Sequence, residues 1–303
     1  MRVHGFSLKK AIKKNFIGYI FIAPVLLGIF LFTLAPMLSS LYYSFFDFNM
    51  LSSPKNFGLQ NYIQAFTSRR IAFYQSLKVT FTATLIGVPI SLVGSFSLAL
   101  FLNRQIKGIR FLRTCYYLPA IIPVVVSSLI WRVSLDYNYG LFNAILNLIG
   151  LPSATLFTKA SSTMPTYIFL GFFGFGGGMI LWIAQLKSIP EFYYEAAELD
   201  GAGYFRKLFK ITIPMCTPVI FYNLIMGIIG NLQTFSSVYV LTNGTSGIQD
   251  SLLFYVMNIY NNAFTYLRMG YASALAWILF VIIGLLTFIV FKTSGWVFYG
   301  EDA

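Results

Sequence analysis

Six long stretches without a charged residue dominate this sequence of 303 residues, and they constrain its fold more than any other feature. They cover residues 15–46, 79–103, 114–131, 160–186, 211–249 and 269–291. A bilayer core about 30 Å thick needs roughly 20 helical residues to cross it, and each stretch meets or nearly meets that length. We therefore predict an all-α membrane protein with about six transmembrane helices.

The composition also favours a membrane. Hydrophobic residues make up 57% of the chain and charged residues only 10%, whereas a soluble domain carries about a quarter charged residues. Too few polar side chains are present to cover a surface in water, so the lipid bilayer is the first expected partner. The net charge of +12 does not indicate nucleic-acid binding, because the basic residues lie in short clusters between the apolar stretches.

These basic clusters predict the orientation. With the N-terminus inside, fourteen of the 21 Lys and Arg residues lie on the cytoplasmic side, as the positive-inside rule requires. The first stretch is too long for a signal peptide and is expected to remain as an anchor. A cytoplasmic segment 1–15, a cytoplasmic loop 187–213 and a cytoplasmic tail 293–303 then flank the membrane domain 16–292. The predicted spans within it are 16–40, 76–103, 114–134, 162–186, 214–241 and 269–291.

The sequence argues against several kinds of chemistry. The pattern GxxxxGK followed by Ser or Thr occurs nowhere, so the chain lacks that nucleotide site. Cys115 and Cys216 are far apart and are expected to be buried thiols, while the single histidine, His4, lies near the start. We predict no catalytic residue, no metal ligand and no cofactor in this chain. An intramembrane enzyme would need an embedded histidine or carboxylate, and an ion-coupled secondary transporter, the main alternative, tends to place charges within its spans.

The loop 187–213 contains the most informative pattern. Pro190 near a helix start, acidic residues in the first turns and a following Gly201 are typical of a short, well-delimited helix. At 100° per residue, three carboxylates of this helix fall on one face. This acidic stripe consists of Glu191, Glu195 and Glu198.

Residues at fixed spacing in this loop match a known motif: Glu195, Ala196, Ala197, Asp200, Gly201, Ala202, Phe209, Ile211, Ile213 and Pro214. They resemble the EAA loop of permeases of binding-protein-dependent ABC importers. In that family the loop forms a coupling helix, which docks in a groove of a separate cytoplasmic ATPase subunit. The resemblance implies a type I, maltose-permease-like fold and an ATPase-coupling role for these residues, together with Glu191 and Glu198. The next span is expected to begin at Pro214.

Weaker motifs at 41–45, 57–62, 241–244 and 270–275 are similar to the sugar-importer branch of the same family. That branch includes the maltose and glycerol-phosphate permeases. The resemblance implies import of a carbohydrate, with an oligosaccharide expected and glycerol phosphate as the alternative within the class. Residues 244–246 depart from the Gly-Gly-Pro common in relatives, which leaves the details of that outer loop open.

The same resemblance implies a set of partners. A second EAA-loop permease completes the membrane domain, usually as a heterodimer. A dimer of cytoplasmic ATPase subunits binds ATP and Mg, and a solute-binding protein delivers the solute from outside. The expected location is the cytoplasmic membrane of a bacterium, with both termini inside.

Polar side chains in the fifth stretch are candidates for the solute path, because polar groups inside a membrane tend to face a cavity. Asn231, Thr234 and Phe235 share one face of a continuous helix, and Tyr239 lies near its edge. Amides and hydroxyls beside an aromatic ring suit a sugar, and the similar stretch of the maltose permease lines its sugar site. Gln233, on another face with Ser237, is a weaker candidate. The alternative is hydrogen bonding to the partner permease.

Two further interpretations concern packing. Gly174 and Gly178 form a small-xxx-small pair, which predicts close backbone approach and alternatively a hinge before the coupling loop. Asp136 follows Arg132 by four residues, which suggests an ion pair at the membrane interface.

Overall fold

The computed structural model describes residues 16–67, 72–104 and 106–297. The predicted segment 1–15 and residues 298–303 of the predicted tail lie outside the described residues. Within these ranges the chain is helical, with a single antiparallel bridge and no strand, which confirms the all-α prediction. The chain divides into two compact units, residues 1–67 with 262–277 and residues 68–261 with 278–303.

The first unit begins with a long apolar helix. Helix α1 (Phe16–Ile29), a π-helical turn (Phe30–Leu34) and helix α2 (Ala35–Ser44) follow one another without interruption. The most apolar part of the combined helix has no buried residue within the chain. A helix that is hydrophobic on all sides needs an apolar environment, so lipid or a partner helix must cover it.

Helix α3 (Gln60–Thr67) is tied to the end of α2 by side chains from the motif at 57–62. The Asn61 amide donates to the carbonyl oxygens of Ser44 and Phe46 at 2.9 and 2.8 Å. The hydroxyls of Ser44 and Tyr62 lie 2.8 Å apart. The motifs at 41–45 and 57–62 therefore have a structural role, since they close the turn between the two helices.

Residues 262–277 of the first unit contact the same turn. The Gly270 N–H donates to the Phe48 carbonyl at 2.9 Å. A Cβ atom at Gly270 would lie 2.1 Å from the Phe46 carbonyl oxygen, so only glycine allows this approach. Arg268 donates to Gln64 Oε1 at 2.6 Å. The motif that starts at Gly270 thus packs against the turn that follows α2.

The second unit is built around helix α4 (Phe73–Leu102), whose 30 residues carry a regular series of buried side chains along one face. The helices that follow α4 along the chain, in which residues 262–277 belong to the first unit, are α5 (Ile109–Ile121), α6 (Val124–Ser134), α7 (Leu141–Leu148), α8 (Ala160–Leu170), a 3₁₀ segment (Gly171–Gly177), α9 (Met179–Ser188), α10 (Phe192–Leu199), α11 (Tyr204–Lys207), a π-helical turn (Leu208–Thr212), α12 (Ile213–Met215), α13 (Thr217–Leu232), α14 (Ser236–Leu241), a 3₁₀ turn (Ile248–Asp250), α15 (Tyr255–Tyr260), a π-helical turn (Asn261–Thr265), α16 (Met269–Lys292) and a 3₁₀ turn (Ser294–Trp296).

The core of the second unit has an apolar cluster near each end of α4. Around Val79, the cluster includes Phe254 and Met257, and Thr80 Oγ1 accepts the Tyr255 N–H at 2.8 Å. Around Ala99, the second cluster contains Trp182, Leu186, Ile189 and Cys216. The Trp182 indole N–H donates to Ser95 Oγ at 3.0 Å, which satisfies a buried donor and fixes α9 against α4.

Among the residues that the structure describes, three helices are long and apolar enough to cross a membrane as single rods: Gly18–Ser44, Phe73–Leu102 and Met269–Lys292. Three more spans result if each of three bent helix pairs crosses once. The pairs meet at 96° between α5 and α6, at 48° before α9 and at 65° before α13. About six spans are therefore consistent with the helices, but the third, fourth and fifth are broken rather than continuous.

The bend between α5 and α6, and a separate interruption between α13 and α14, correct the predicted helices. The third stretch bends at Ile122, which is extended (φ −70°, ψ 128°) because Pro123 disfavours a helical residue before it. The predicted fifth helix 214–241 is interrupted, since α13 ends at Leu232 and Phe235 is non-helical (φ −140°, ψ −64°). Pro214 does not begin that span; it lies within the helical segment Tyr204–Met215, and the bend follows at Cys216.

The predicted glycine pair is also corrected. A Cβ at Gly174 would meet nothing within 4 Å, and one at Gly178 would make only ordinary contacts. The close approach occurs at Gly176, where a Cβ would lie 1.8 Å from the Tyr116 carbonyl oxygen. A Cβ at Gly94 would overlap the ring of Phe175 at 2.1 Å.

Two other predictions about side chains are wrong. Arg132 donates to Asn243 Oδ1 at 2.9 Å rather than pairing with Asp136. The Asp136 carboxylate instead accepts the backbone N–H groups of Asn138 and Tyr139 and closes a local turn. Of the two thiols, Cys216 is buried but Cys115 is exposed on α5.

Candidate functional site

The first candidate region is helix α10 with the turn that ends it. Gly201 has a positive φ of 73°. The Gly201 N–H donates to the Glu198 carbonyl at 3.0 Å, and the Ala202 N–H donates to the Ala197 carbonyl at 2.8 Å. This pair of bonds is the Schellman motif, which satisfies the last carbonyls of a helix. A Cβ at Gly201 would meet nothing within 4 Å, so glycine is favoured there by backbone geometry alone.

Side-chain contacts hold this loop together and brace the segment that follows it. Lys207 Nζ lies 2.6 Å from Glu198 Oε1, the one ion pair found among the described residues. The hydroxyls of Tyr194 and Thr212 lie 2.9 Å apart, so α10 is bonded to the segment that leads into α13. The Gln185 amide at the end of α9 donates to the Met215 carbonyl at 2.7 Å. The segment before α13 is thus bonded both to α10 and to the end of α9.

The outer surface of the loop combines acidic and apolar side chains. The four carboxylates that the sequence placed here are all exposed: Glu191, Glu195, Glu198 and Asp200. Leu199 is 91% exposed and Phe205 is 72% exposed, although neither lies in one of the long apolar stretches. Ala196 is exposed, while Ala197 and Ala202 are partly covered. Exposed apolar side chains beside charges are typical of a protein-binding surface.

The second candidate region is a cavity of about 300 Å³ within the second unit. It is enclosed by α4, α5, α6, α8, the 3₁₀ segment, α13 and α14. Its polar or aromatic lining residues are Ser91, Ser127, Ser128, Trp131, Tyr167, Phe173, Phe175, Asn231 and Ser237. A mostly apolar cavity with a few convergent polar groups is typical of a small-molecule site.

Asn231 is the predicted path residue that lines this cavity. Its amide N–H donates to the Gly227 carbonyl at 3.0 Å. Its carbonyl oxygen lies toward α4, where a Cβ at Gly87 would be 3.6 Å away. Asn231 also lines a second, smaller cavity of about 150 Å³, which shares Ser91 and Phe175 with the first. The side chain therefore stands where the two cavities meet.

The other predicted path residues are not among the lining residues, because the break after α13 changes the helical phase. Gln233 is exposed. Phe235 and Tyr239 pack on each other and on Tyr260, with ring centres 5.0 to 5.3 Å apart. The Thr234 hydroxyl interacts with that of Tyr167, which does line the cavity.

Sequence reasoning missed several lining residues. Ser237, which the helical wheel placed on the partner-facing side, lines the cavity after the break. Trp131 and Tyr167 come from helices that the sequence did not connect with α13. The sequence carries only a weak indication that these aromatic residues line a cavity, because aromatic residues are frequent throughout this chain.

The comparisons with known proteins identify the family of this chain. A model of the family described as "binding-protein-dependent transport system inner membrane component" matches residues 96–294. The chain belongs to this family, and the resemblance drawn from the EAA loop is confirmed at that level. It is therefore a multi-pass component of the inner membrane.

Individual relatives cover almost the whole chain. The probable ABC transporter permease protein YesP of Bacillus subtilis is 42% identical over 95% of this chain and 93% of its own length. The trehalose/maltose transport system permease protein MalF of Thermococcus litoralis is 31% identical over 92% of this chain and 93% of its own length. A chain of a bacterial alginate ABC transporter, crystallised with an alginate pentasaccharide-bound periplasmic protein, has the same fold (TM-score 0.82, 22% identity, 95% of this chain and 97% of that chain).

Proposed function

We propose that this chain is the membrane-spanning subunit of an ATP-driven importer that carries a carbohydrate into the cytoplasm. The observation that carries the proposal is the loop 187–213, whose short capped helix exposes carboxylates and Leu199 and is bonded through Tyr194 to the segment that leads into α13. A rigid, exposed helix between two spans can transmit motion from a cytoplasmic partner. Family membership supports the same role.

In this proposal the loop docks on a separate ATPase. Glu195 and Glu191 face basic residues of its groove, which sets the register of docking more than its affinity. Leu199 adds apolar area at the centre of the contact. Gly201 gives the turn that returns the chain to the membrane, and Pro214 stands in the helical segment before the bend at Cys216. ATP and Mg are bound by a dimer of these ATPase subunits.

The cavity around Asn231 is proposed as part of the solute path. Trp131 and Tyr167 offer flat apolar faces for the C–H surface of a sugar ring, and Asn231, Ser91 and Ser237 offer hydrogen bonds to its hydroxyls. Several relatives carry sugar names, among them a trehalose/maltose permease and an arabinooligosaccharide permease. We therefore favour an oligosaccharide as the solute.

The remaining parts of the assembly are proposed from the family. A second EAA-loop permease completes the path, and an extracytoplasmic solute-binding protein delivers the solute. Both termini lie in the cytoplasm, with the loop 187–213 on the same side.

Reconstitution in proteoliposomes tests this function. The chain alone should neither hydrolyse ATP nor accumulate sugar, whereas liposomes that also contain the partner permease, the ATPase and the binding protein should take up sugar when ATP is inside. Uptake by the isolated chain, driven by a proton or sodium gradient, would contradict the importer and indicate an ion-coupled transporter.

A further inference from the structure

A basic pocket of about 600 Å³ lies between the end of α4, the start of α5 and the end of α9. Besides Asn103, Ile106 and Ile109, its lining consists of five cationic side chains: Arg104, Lys107, Arg110, Arg113 and Lys187. No carboxylate lines the pocket, and the one ion pair among the described residues lies elsewhere, between Lys207 and Glu198. The pocket therefore concentrates positive charge without an internal counterion in the described part of the chain.

One of these cations is held firmly. Arg113 donates from Nε and Nη2 to the Leu102 carbonyl oxygen at 3.0 and 2.7 Å. This contact fixes the guanidinium at the C-terminal end of α4 and sets the position of α5 relative to it. Arg104, Lys107, Arg110 and Lys187 are exposed, so their charged groups remain accessible to a ligand.

Exposed apolar side chains lie on the same chain segments as the pocket, at the end of α4 and the start of α5. Phe101 and Ile106 are each 45% exposed, and Phe111 is 72% exposed. A free phosphate or a nucleotide would leave this apolar surface in water. A ligand that has both an anionic group and hydrocarbon chains would cover charge and apolar surface together.

We propose that this basic pocket binds the phosphate headgroup of an anionic phospholipid in the inner leaflet, with its acyl chains against Phe101 and Phe111. Basic pockets next to transmembrane helices on the cytoplasmic side suit such headgroups, and Arg and Lys both bind phosphate oxygens. The proposal requires the residues between α4 and α5 to lie at the inner face, as the charge distribution predicts. It does not depend on the nature of the solute, so its failure would leave the importer proposal intact.

Native mass spectrometry of the full chain tests this binding, with phosphatidylglycerol and phosphatidylcholine of identical acyl chains as probes. The wild-type chain should bind phosphatidylglycerol more tightly, and the preference should weaken with added salt. The double variant Lys107→Gln/Arg110→Gln should lose about tenfold or more of its phosphatidylglycerol affinity, since each basic residue near a membrane contributes roughly fivefold. Its phosphatidylcholine binding should not change.

A matched control removes the same charge elsewhere in the predicted cytoplasmic region. Arg206→Gln/Lys210→Gln replaces two exposed cations outside the pocket and should change phosphatidylglycerol binding less than twofold. Equal losses of phosphatidylglycerol affinity in both double variants would mean that only net charge matters. That result would contradict the proposal that the basic pocket is the binding site. If the first variant fails to fold, Lys187→Gln, on a different helix, supplies the same comparison.

Two further outcomes would also contradict the proposal. Inorganic phosphate that displaces phosphatidylglycerol at equal concentration would show that the pocket binds free phosphate rather than a lipid. Loss of the bound lipid when the ATPase subunits assemble with the permease would show that an acidic surface of the partner fills the pocket.

Discussion

The loop 187–213 and the cavity around Asn231 differ in how their shapes are maintained. The loop is exposed, and the capping bonds and the Glu198–Lys207 ion pair that shape it join residues close together in the sequence. The cavity is assembled from side chains between residues 83 and 241, on helices that must first pack against α4. Substitutions in the loop should therefore change binding to a partner and leave folding intact. Substitutions around the cavity should affect solute movement or, at the closest contacts, folding itself.

The largest effect is expected at a close contact beside the cavity. Gly176→Ala would place a Cβ 1.8 Å from the Tyr116 backbone carbonyl, and overpacking of this kind costs on the order of 3 kcal/mol. The yield of folded protein after detergent extraction should fall sharply. Gly174→Ala is the control, because its Cβ would meet nothing within 4 Å. Similar losses in both variants would show that the approach of α5 to the 3₁₀ segment is not what requires glycine.

A large effect on assembly is expected at Leu199. Because this side chain is 91% exposed, Leu199→Ser should not change folding, but it should weaken binding of the ATPase at least about tenfold through the loss of apolar contact. Binding can be measured by titrating the purified ATPase onto the permease in nanodiscs. Leu148→Ser, at a position that is 87% exposed on α7, should bind the ATPase like the wild type. An equally large loss of ATPase binding in Leu148→Ser would show that the ATPase does not bind specifically at the loop 187–213.

An intermediate effect is expected within the cavity. Asn231→Leu keeps the branching and the number of side-chain heavy atoms and removes the hydrogen bonds, so transport should fall about fivefold, as for a lost bond of roughly 1 kcal/mol. Basal ATP hydrolysis of the assembled transporter should stay unchanged. Gln233→Leu is the control, because Gln233 is exposed and is not among the residues that line the cavity. A greater loss of transport in Gln233→Leu would contradict the assignment of the cavity.

The smallest effect is expected at the turn after α10. Gly201→Ala forces an alanine into a positive φ, which costs about 1 kcal/mol, so solute-stimulated hydrolysis should fall roughly two- to fivefold. Gly203→Ala is the matched control, because that Cβ would also meet nothing within 4 Å but φ is −70°. Gly201→Val should be worse than Gly201→Ala, since a β-branched side chain is less tolerant of this conformation. Equal activity of all three variants would show that the turn is not needed for coupling.

Much of the loop could be predicted from the sequence, because its shape depends on neighbouring residues. Gly201 was expected to end a short helix, and it does so with a positive φ. Similarly, the carboxylates placed on one stripe are all exposed. The role of these residues in coupling stays a prediction.

The cavity could be predicted only in part. Polar residues in the fifth stretch pointed to Asn231, but the helical wheel assumed a continuous helix, and the chain is non-helical at Phe235. Because of that interruption, Ser237 lines the cavity and Phe235 packs in an aromatic cluster, unlike in the predicted continuous helix. The positions of Trp131 and Tyr167 beside the cavity depend on how different helices pack together. The periodicity of residues along one helix gives no information about that packing. The bends before α9 and α13 could not be predicted either, because the fourth and fifth stretches are mostly hydrophobic along their whole length.

The central claim is that the loop 187–213 couples the chain to an ATPase while the cavity around Asn231 does not. The most direct test is the amount of ATPase subunit that co-purifies with Glu195→Lys and with Asn231→Leu, each compared with the wild type. Glu195→Lys turns an expected attraction to a basic groove into repulsion, so the ATPase should be largely lost, whereas Glu195→Gln, which only removes the attraction, should stay close to the wild type. Asn231→Leu should retain the wild-type amount. Wild-type recovery of the ATPase with Glu195→Lys, or its loss with Asn231→Leu, would contradict the account.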